Sequence, residues 1–157
     1  MEENKLPELD RTILPWLGRT MKALDYFLND HFASRGLKLT KAQMILLKVL
    51  SNRGAMAQNS LAFITDRDKT SLTRLINTME KKNFVTRSVD ENDKRIKLVD
   101  ITEEGKKMFN SAIPILQEII VVVQDGVEQK DLDTTIKVLK QIGKNINVDE
   151  LTAPLNK

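Results

Sequence analysis

Residues 68–105, DKTSLTRLINTMEKKNFVTRSVDENDKRIKLVDITEEG, change their hydrophobic period twice. Leu72, Leu75, Ile76 and Met79 recur at three- and four-residue spacing, the period of a helix with one apolar stripe. Asp68 stands where a side chain caps a first turn. Asn83, which tolerates the left-handed conformation that ends many helices, stands where this one should stop. Two runs rich in Val, Ile, Phe and Thr follow, FVTRSV at 84–89 and IKLVDI at 96–101, and these predict strands. The six residues between them, 90–95, carry five charges, too long a connection for a tight turn and polar enough to project as a hairpin tip. Thr102 with Glu103 and Glu104 then opens another helix, as a cap with acids opposing the helix dipole.

Working outward, Thr40-Lys41-Ala42-Gln43 matches a capping box, in which a Thr hydroxyl and a Gln three residues on satisfy each other's orphan backbone donors. The helix it starts, KAQMILLKVLS, is short and should end before Asn52-Arg53-Gly54. A weaker helical stretch covers 58–64 and is broken by Thr65-Asp66-Arg67. Farther upstream, Ile13, Leu14, Leu17, Met21, Leu24, Phe27 and Leu28 predict an amphipathic helix with Pro15 harmlessly in its first turn and an end near Arg35-Gly36.

Downstream, Met108, Phe109, Ala112, Ile115, Leu116, Ile119, Ile120 and Val123 widen until nearly every face of their helix is apolar. An exposed helix should not read that way. Pro114 lies inside it and is expected to kink it. After Asp125-Gly126 a last helix carries Leu132, Ile136, Leu139, Ile142 and Ile146 on one stripe. The order, four helices, a hairpin and two helices, is mainly α. A short helix, a turn, a longer capped helix and a hairpin directly after it make a winged helix-turn-helix.

Composition limits the function classes. At 157 residues the chain makes one domain with helical extensions, and its 41% hydrophobic content suffices for a core without staples. It has no cysteine, which removes disulfides, thiol nucleophiles and thiolate metal sites, and its single histidine argues against a zinc centre. MEENKLPELDR lacks the basic start and apolar core of a signal peptide, and IIVVV at 119–123 is too short to span a bilayer, so a cytoplasmic, non-membrane setting is expected. No P-loop, nucleophile elbow, dinucleotide fingerprint or metal-spaced His-carboxylate pair is present, so neither an enzyme nor a cofactor is expected.

Charge then locates the function. The whole chain carries a net +3, yet 67–97 alone holds nine basic and five acidic residues, an excess that places the positive field on the helix and hairpin. On the polar side of helix 68–82 lie Lys69, Thr70, Ser71, Thr73, Arg74, Asn77 and Lys81, short hydroxyls, an amide and a basic fork able to reach phosphates and base edges. An ordinary solvated helix face would also be polar. At the hairpin tip Arg95 suits the narrow minor groove, Asp93 could hold it in position and Lys94 would face phosphates; the bland alternative is a surface ion pair on a solvated tip.

These residues resemble a family. LAFITDRDKTSLTRLINTMEKKNFVTR, DENDKR and LVDITEEGKKMF are similar to the DNA-binding half of the MarR family of bacterial and archaeal transcriptional regulators, over roughly Leu39 to Phe109. The resemblance implies an obligate homodimer with 1–38 and 103–157 as dimerisation helices and 39–102 as the winged lobe, acting on a palindromic double-stranded DNA operator. A second chain would also cover IIVVV. It places Lys69, Thr70, Ser71, Thr73, Arg74 and Asn77 at the major groove, Arg87 on the strand near the backbone, and Lys94 and Arg95, with Asp93, in the wing. The family often has Arg at position 94 and Gly at position 83; Lys94 gives up a bidentate phosphate contact, and Asn83 keeps the helix stop.

Thr65-Asp66-Arg67 replaces the family's apolar-glycine-apolar turn, so a looser lobe and an outward Arg67 are expected. Lack of cysteine argues against the family's peroxide sensors, and its zinc sensors are no better match. Many members are repressors relieved by a small aromatic or phenolic ligand held between the dimer helices and the lobe. Trp16, Tyr26 and His31 fall in that region, though a lone His near a helix end is more often a cap; no ligand site is assigned. The competing reading is a helical dimeric adaptor that uses the winged lobe for protein contacts.

Overall fold

Described in a computed structural model over residues 8–65 and 68–147, the chain begins with a 3-10 turn, Leu9–Arg11, and the long helix α1, Ile13–Ser34. Then come α2 (Lys41–Arg53), β1 (Met56–Ala57), α3 (Gln58–Ile64), α4 (Lys69–Lys81), β2 (Val85–Val89), β3 (Lys97–Ile101), α5 (Glu103–Val123) and α6 (Gln129–Asn145). The mainly α fold with a winged helix-turn-helix is as the sequence predicts.

Local chemistry explains most boundaries. Thr40 Oγ1 accepts from the Gln43 N–H at 3.3 Å while Gln43 Oε1 accepts from the Thr40 N–H at 3.1 Å, so the capping box is complete. Asp68 caps α4 by accepting from the Ser71 N–H at 2.9 Å. After α4, Asn83 takes a φ of 59°, the left-handed stop, and the chain reverses into the hairpin. α2 runs two residues beyond its expected end, to Arg53, because Gly54, with φ 74°, is the residue that leaves the helical conformation.

The sheet contains a strand that the sequence reading missed. β1, only two residues long, pairs antiparallel with β3 (Met56 opposite Val99, Ala57 opposite Leu98), giving the order β1-β3-β2. Two residues carry no readable alternation. β2 and β3 pair from Val85 opposite Ile101 to Val89 opposite Lys97, so Phe84 and Ile96 fall just outside the expected strands. α5 continues through Pro114; the carbonyl of Asn110, which loses its helical partner there, belongs to an exposed residue and can be hydrated.

One core holds the lobe together. Leu46, Leu47, Leu50, Leu61, Leu72, Ile76, Met79, Val85 and Val99 are at most 1% exposed, and Phe32 of α1 with Ala112 of α5 joins them. The junction between hairpin and α5 is especially tight. Thr102 Oγ1 accepts from the Gly105 N–H at 3.0 Å and donates to the Asn83 carbonyl at 2.5 Å, and a Cβ on Gly105 would lie 2.1 Å from the Phe84 carbonyl oxygen. The backbone approach thus requires glycine at 105, while Thr102 contributes the two hydrogen bonds that join the hairpin to α5.

The flanks contrast with the lobe. No residue of α6 is buried, and Ile120, Val121, Val122 and Val123 at the end of α5 are 51%, 71%, 54% and 44% exposed. α1 is tied to its neighbours by an ion pair between Lys41 and Asp25, by Asn29 Oδ1 accepting from the Lys41 N–H at 2.9 Å, and by Arg35 against Glu118 of α5 at 2.5 Å.

Candidate nucleic-acid interface

At about 100° per residue, Leu72, Ile76 and Met79 anchor one side of α4 in the core, which turns Thr70, Arg74, Asn77 and Lys81 directly outward. All four are exposed. Lys69 is exposed at the N-terminal end of the same helix. The remaining two expected groove residues sit on the flanks. Ser71 is half-buried and its hydroxyl donates to Asp68 at 2.7 Å; Thr73, also half-buried, donates to the Lys69 carbonyl at 2.7 Å and accepts from Gln58 Nε2 at 3.1 Å. These hydroxyls are committed to holding the helix start and α3, which the polar character of the residues alone did not reveal.

Asp68 is held below the ordinary carboxylate range, first by the Ser71 backbone N–H and then by the Ser71 hydroxyl, both of which favour its charged form. An anionic cap at the mouth of α4 therefore persists at neutral pH. It opposes the helix dipole and orients the first turn from which Lys69 and Thr70 project.

The wing is organised through the backbone. Asp90 Oδ1 accepts from the Asn92 N–H at 2.8 Å and the Asp93 N–H at 2.9 Å, the Asp90 N–H donates to the Ile96 carbonyl, and the Ile96 N–H donates to the Asp93 carbonyl. Asp93 does hold Arg95, but by accepting its backbone N–H at 2.9 Å and not by pairing with its guanidinium. A carboxylate two residues before a turn amide makes that bond locally, with no long side chain to immobilise. Lys94 and Arg95 are exposed, and among the described residues Lys69, Arg74, Lys94 and Arg95 take part in no ion pair.

Arg87 stands differently. Val85, Arg87 and Val89 share one face of β2, and Val85 is buried, so this arginine looks into the lobe toward α4. Its side chain is only 22% exposed. Nη1 donates to Glu80 Oε2 and Nη2 to Asn77 Oδ1, both at 2.6 Å, while Nε is buried without a protein partner. The guanidinium is thus engaged within the chain, by a carboxylate and an amide on the exposed side of α4. Period-two alternation in FVTRSV carried that signal, but Glu80 as its partner could not be read from one strand. The expectations for Arg67 and Asp66 lie outside the described residues.

Beside this face an open cleft of ≈ 850 Å³ lies between α1, α2 and the start of α4, lined by Met21, Asp25, Asn29, Lys41, Ile45, Ile64 and Ser71 among others. Trp16, Tyr26 and His31 do not line it. Trp16 is 56% exposed and donates to the Asp10 carbonyl, Tyr26 is 68% exposed, and His31 packs its ring on Phe27 in the last turn of α1. Among the described residues no helix is long and apolar enough to cross a membrane, and no group of three or more acidic or histidine side chains could hold a metal.

Comparison with known proteins adds to this geometry. The family model described as MarR family matches residues 39–97. The uncharacterized HTH-type transcriptional regulator YybA of Bacillus subtilis is 30% identical over 141 residues, spanning 87% of this chain and 90% of that protein. Two solved structures share the fold. A mutant MarR from E. coli complexed with operator DNA superposes with a TM-score of 0.79 at 21% identity, covering 88% of this chain and 99% of the other. BpsR of Bordetella bronchiseptica, whose DNA binding is regulated by 6-hydroxynicotinic acid, gives a TM-score of 0.78 at 19% identity and covers 88% and 98%.

Proposed function

The chain belongs to the MarR family of transcriptional regulators, and on that premise we propose that it works as a homodimeric repressor on a palindromic double-stranded DNA operator, relieved by a small molecule. Regulation of transcription, and not catalysis, is the activity of its relatives. The observation that carries the proposal is the outward stripe of α4, where Thr70, Arg74, Asn77 and Lys81 stand together and the cations are uncommitted. Lys69 and Thr70 contact phosphates at the helix start, Arg74 and Asn77 read base edges in the major groove, Lys94 meets the backbone and Arg95 enters the minor groove. Asp68, Ser71, Thr73 and Asp93 hold those side chains in place.

Dimerisation is supported by the unburied helices. α6 carries Leu132, Ile136, Leu139 and Ile142 along one stripe, with Ile146 just beyond its end, yet the chain itself buries none of them. Each large apolar side chain removed from water contributes about 1.5–3 kcal/mol, so a second copy covering α6 and the end of α5 has ample driving force. The cleft beside α4 supports an effector: its Met21, Ile45 and Ile64 would face an aromatic ring and the Asn29 NH2 a phenolic or carboxylate oxygen, with Lys41 paired to Asp25 beside it. A ligand wedged there would bear on the first turn of α4. A cytoplasmic location follows from the proposed role.

Selection of bound duplexes from genomic fragments, followed by titration at several salt concentrations, tests the reading. A symmetrical site with half-sites about one helical turn apart and a log–log salt slope of several units is the expected result. Affinity that ignores salt, or a purely monomeric chain at working concentration, would overturn it. Replacing Arg74 and Arg95 by Ala should weaken DNA binding; if a protein partner were retained by that variant while no duplex bound the parent, the adaptor reading would replace it.

A further inference from the structure

Asn77 is the only carboxamide on the outward stripe of α4, and its two ends are not equivalent. One is an acceptor and the other a double donor, and which of them faces the groove decides which base edges it can read. Arginine offers donors alone, so the 2.6 Å contact between Arg87 Nη2 and Asn77 requires the amide oxygen at that end; the reverse orientation would set donor against donor. Arg87 is in turn held by Glu80 Oε2 at 2.6 Å, three residues along α4 and therefore on the same side of the helix as Asn77. Its half-buried stem and its position on the inward face of β2 leave the fork little freedom to turn elsewhere.

The geometry points to Glu80 and Arg87 as positioning residues that present Asn77 to DNA as a hydrogen-bond donor and so set the operator's preference at the base pair it faces. This rests on the DNA-binding reading above. A charge-assisted bond takes one of the amide oxygen's two lone pairs and keeps that oxygen turned toward Arg87, and the NH2 at the other end finds its best match in two neighbouring acceptors, N7 and O6 of guanine. An unrestrained asparagine instead reads adenine, using its oxygen and nitrogen together against N6 and N7. Cytosine, which offers a donor in the major groove, is rejected. Arg87 touches no base in this arrangement; it acts through the amide.

The experiment uses the full-length protein, its selected operator and a set of duplexes with every single base-pair change, each titrated at several salt concentrations. Arg87→Met should lower the preference for guanine over adenine at one position per half-site by about fivefold or more and leave the salt slope unaltered. Asn77→Ala should affect that same position, and the double variant should behave as Asn77→Ala alone, since both act on one contact. Glu80→Gln, which weakens the hold on Arg87 without removing it, should shift the same position by less.

A salt slope lower by about one with an unchanged base profile would make Arg87 a phosphate ligand and overturn the inference. Additive effects of Arg87→Met and Asn77→Ala would overturn it too. Should Arg87→Met lose its cooperative melting transition, Arg87→Lys keeps the charge and stem but not the two-pronged fork. It is expected to shift the same position, and an unchanged profile would count against the inference. Parent protein that binds no duplex in dilute salt removes the DNA-binding reading and this inference together, whereas parent binding with an unmoved Arg87 profile removes this inference alone.

Discussion

The winged lobe and the helices that flank it solve the problem of burial in opposite ways. In the lobe, Leu46, Leu50, Leu61, Ile76, Met79 and Val99 are wholly enclosed by other parts of the same chain. In α6, residues of the same chemistry at regular helical spacing remain open, Ile136 at 49% and Leu139 at 39% exposed. Amphipathic patterning therefore has two meanings in one sequence. In the lobe it specifies an interior; in the flanks it leaves an open apolar face, the one that the proposed second copy would cover.

The sharpest way to break this contrast is to charge the flanks while leaving the lobe alone. Val121→Asp combined with Ile136→Asp should yield monomers by sedimentation and weaken operator binding by about a hundredfold or more, because the second lobe no longer binds at high effective concentration. A dimeric, tightly binding variant would show that these faces serve something else. Next in size is a change at the seam between the two regions. Gly105→Ala drives a Cβ into the Phe84 carbonyl and should lower the free energy of unfolding by about 3 kcal/mol in a denaturant titration, an overpacking effect independent of protein concentration.

Thr102→Val keeps the shape at that seam but loses both the cap to Gly105 and the bond to the Asn83 carbonyl. A cost of about 1–2 kcal/mol is expected by the same titration, against none if the helix start is held by packing alone. The smallest effect belongs to acid. Asp68 has a folded-state pKa below its ordinary value of 3.8, so its stabilising contribution is complete above that value and disappears as pH falls through the lower one. Thermal melts of the parent and of Asp68→Asn should thus differ at neutral pH and converge in that acid window. A gap that widens on acidification would contradict the assignment.

Legibility in the sequence followed the range of the forces involved. Caps and stops are local, so Thr40, Asp68, Asn83 and Thr102 were readable in place, and with them the helix-turn-helix and its wing. β1 was not, because its two residues become a strand only through pairing with β3, more than forty residues later. Within the site, exposure of Thr70, Arg74 and Asn77 followed from helical spacing, whereas the engagement of Ser71 and Thr73 depended on partners that composition does not reveal. That Asp93 meets Arg95 through its backbone N–H was not legible either, since the charges do not say that a turn amide is nearer than a guanidinium tip. The ring-bearing residues Trp16, Tyr26 and His31 drew attention to α1 by their type, while the cleft is made by smaller side chains that only the crossing of α1 and α2 brings together.

The modest ladder at Met56–Ala57 has a mechanical consequence. Because β3 lies between β1 and β2, the hairpin is held at its root along the outer edge of β3, and β1 runs without a break into α3. Torque applied at the tip of the wing is passed through β3 and β1 to the first helix of the helix-turn-helix, so on the proposed reading a kinked or narrowed duplex would load the scaffold on which α4 rests.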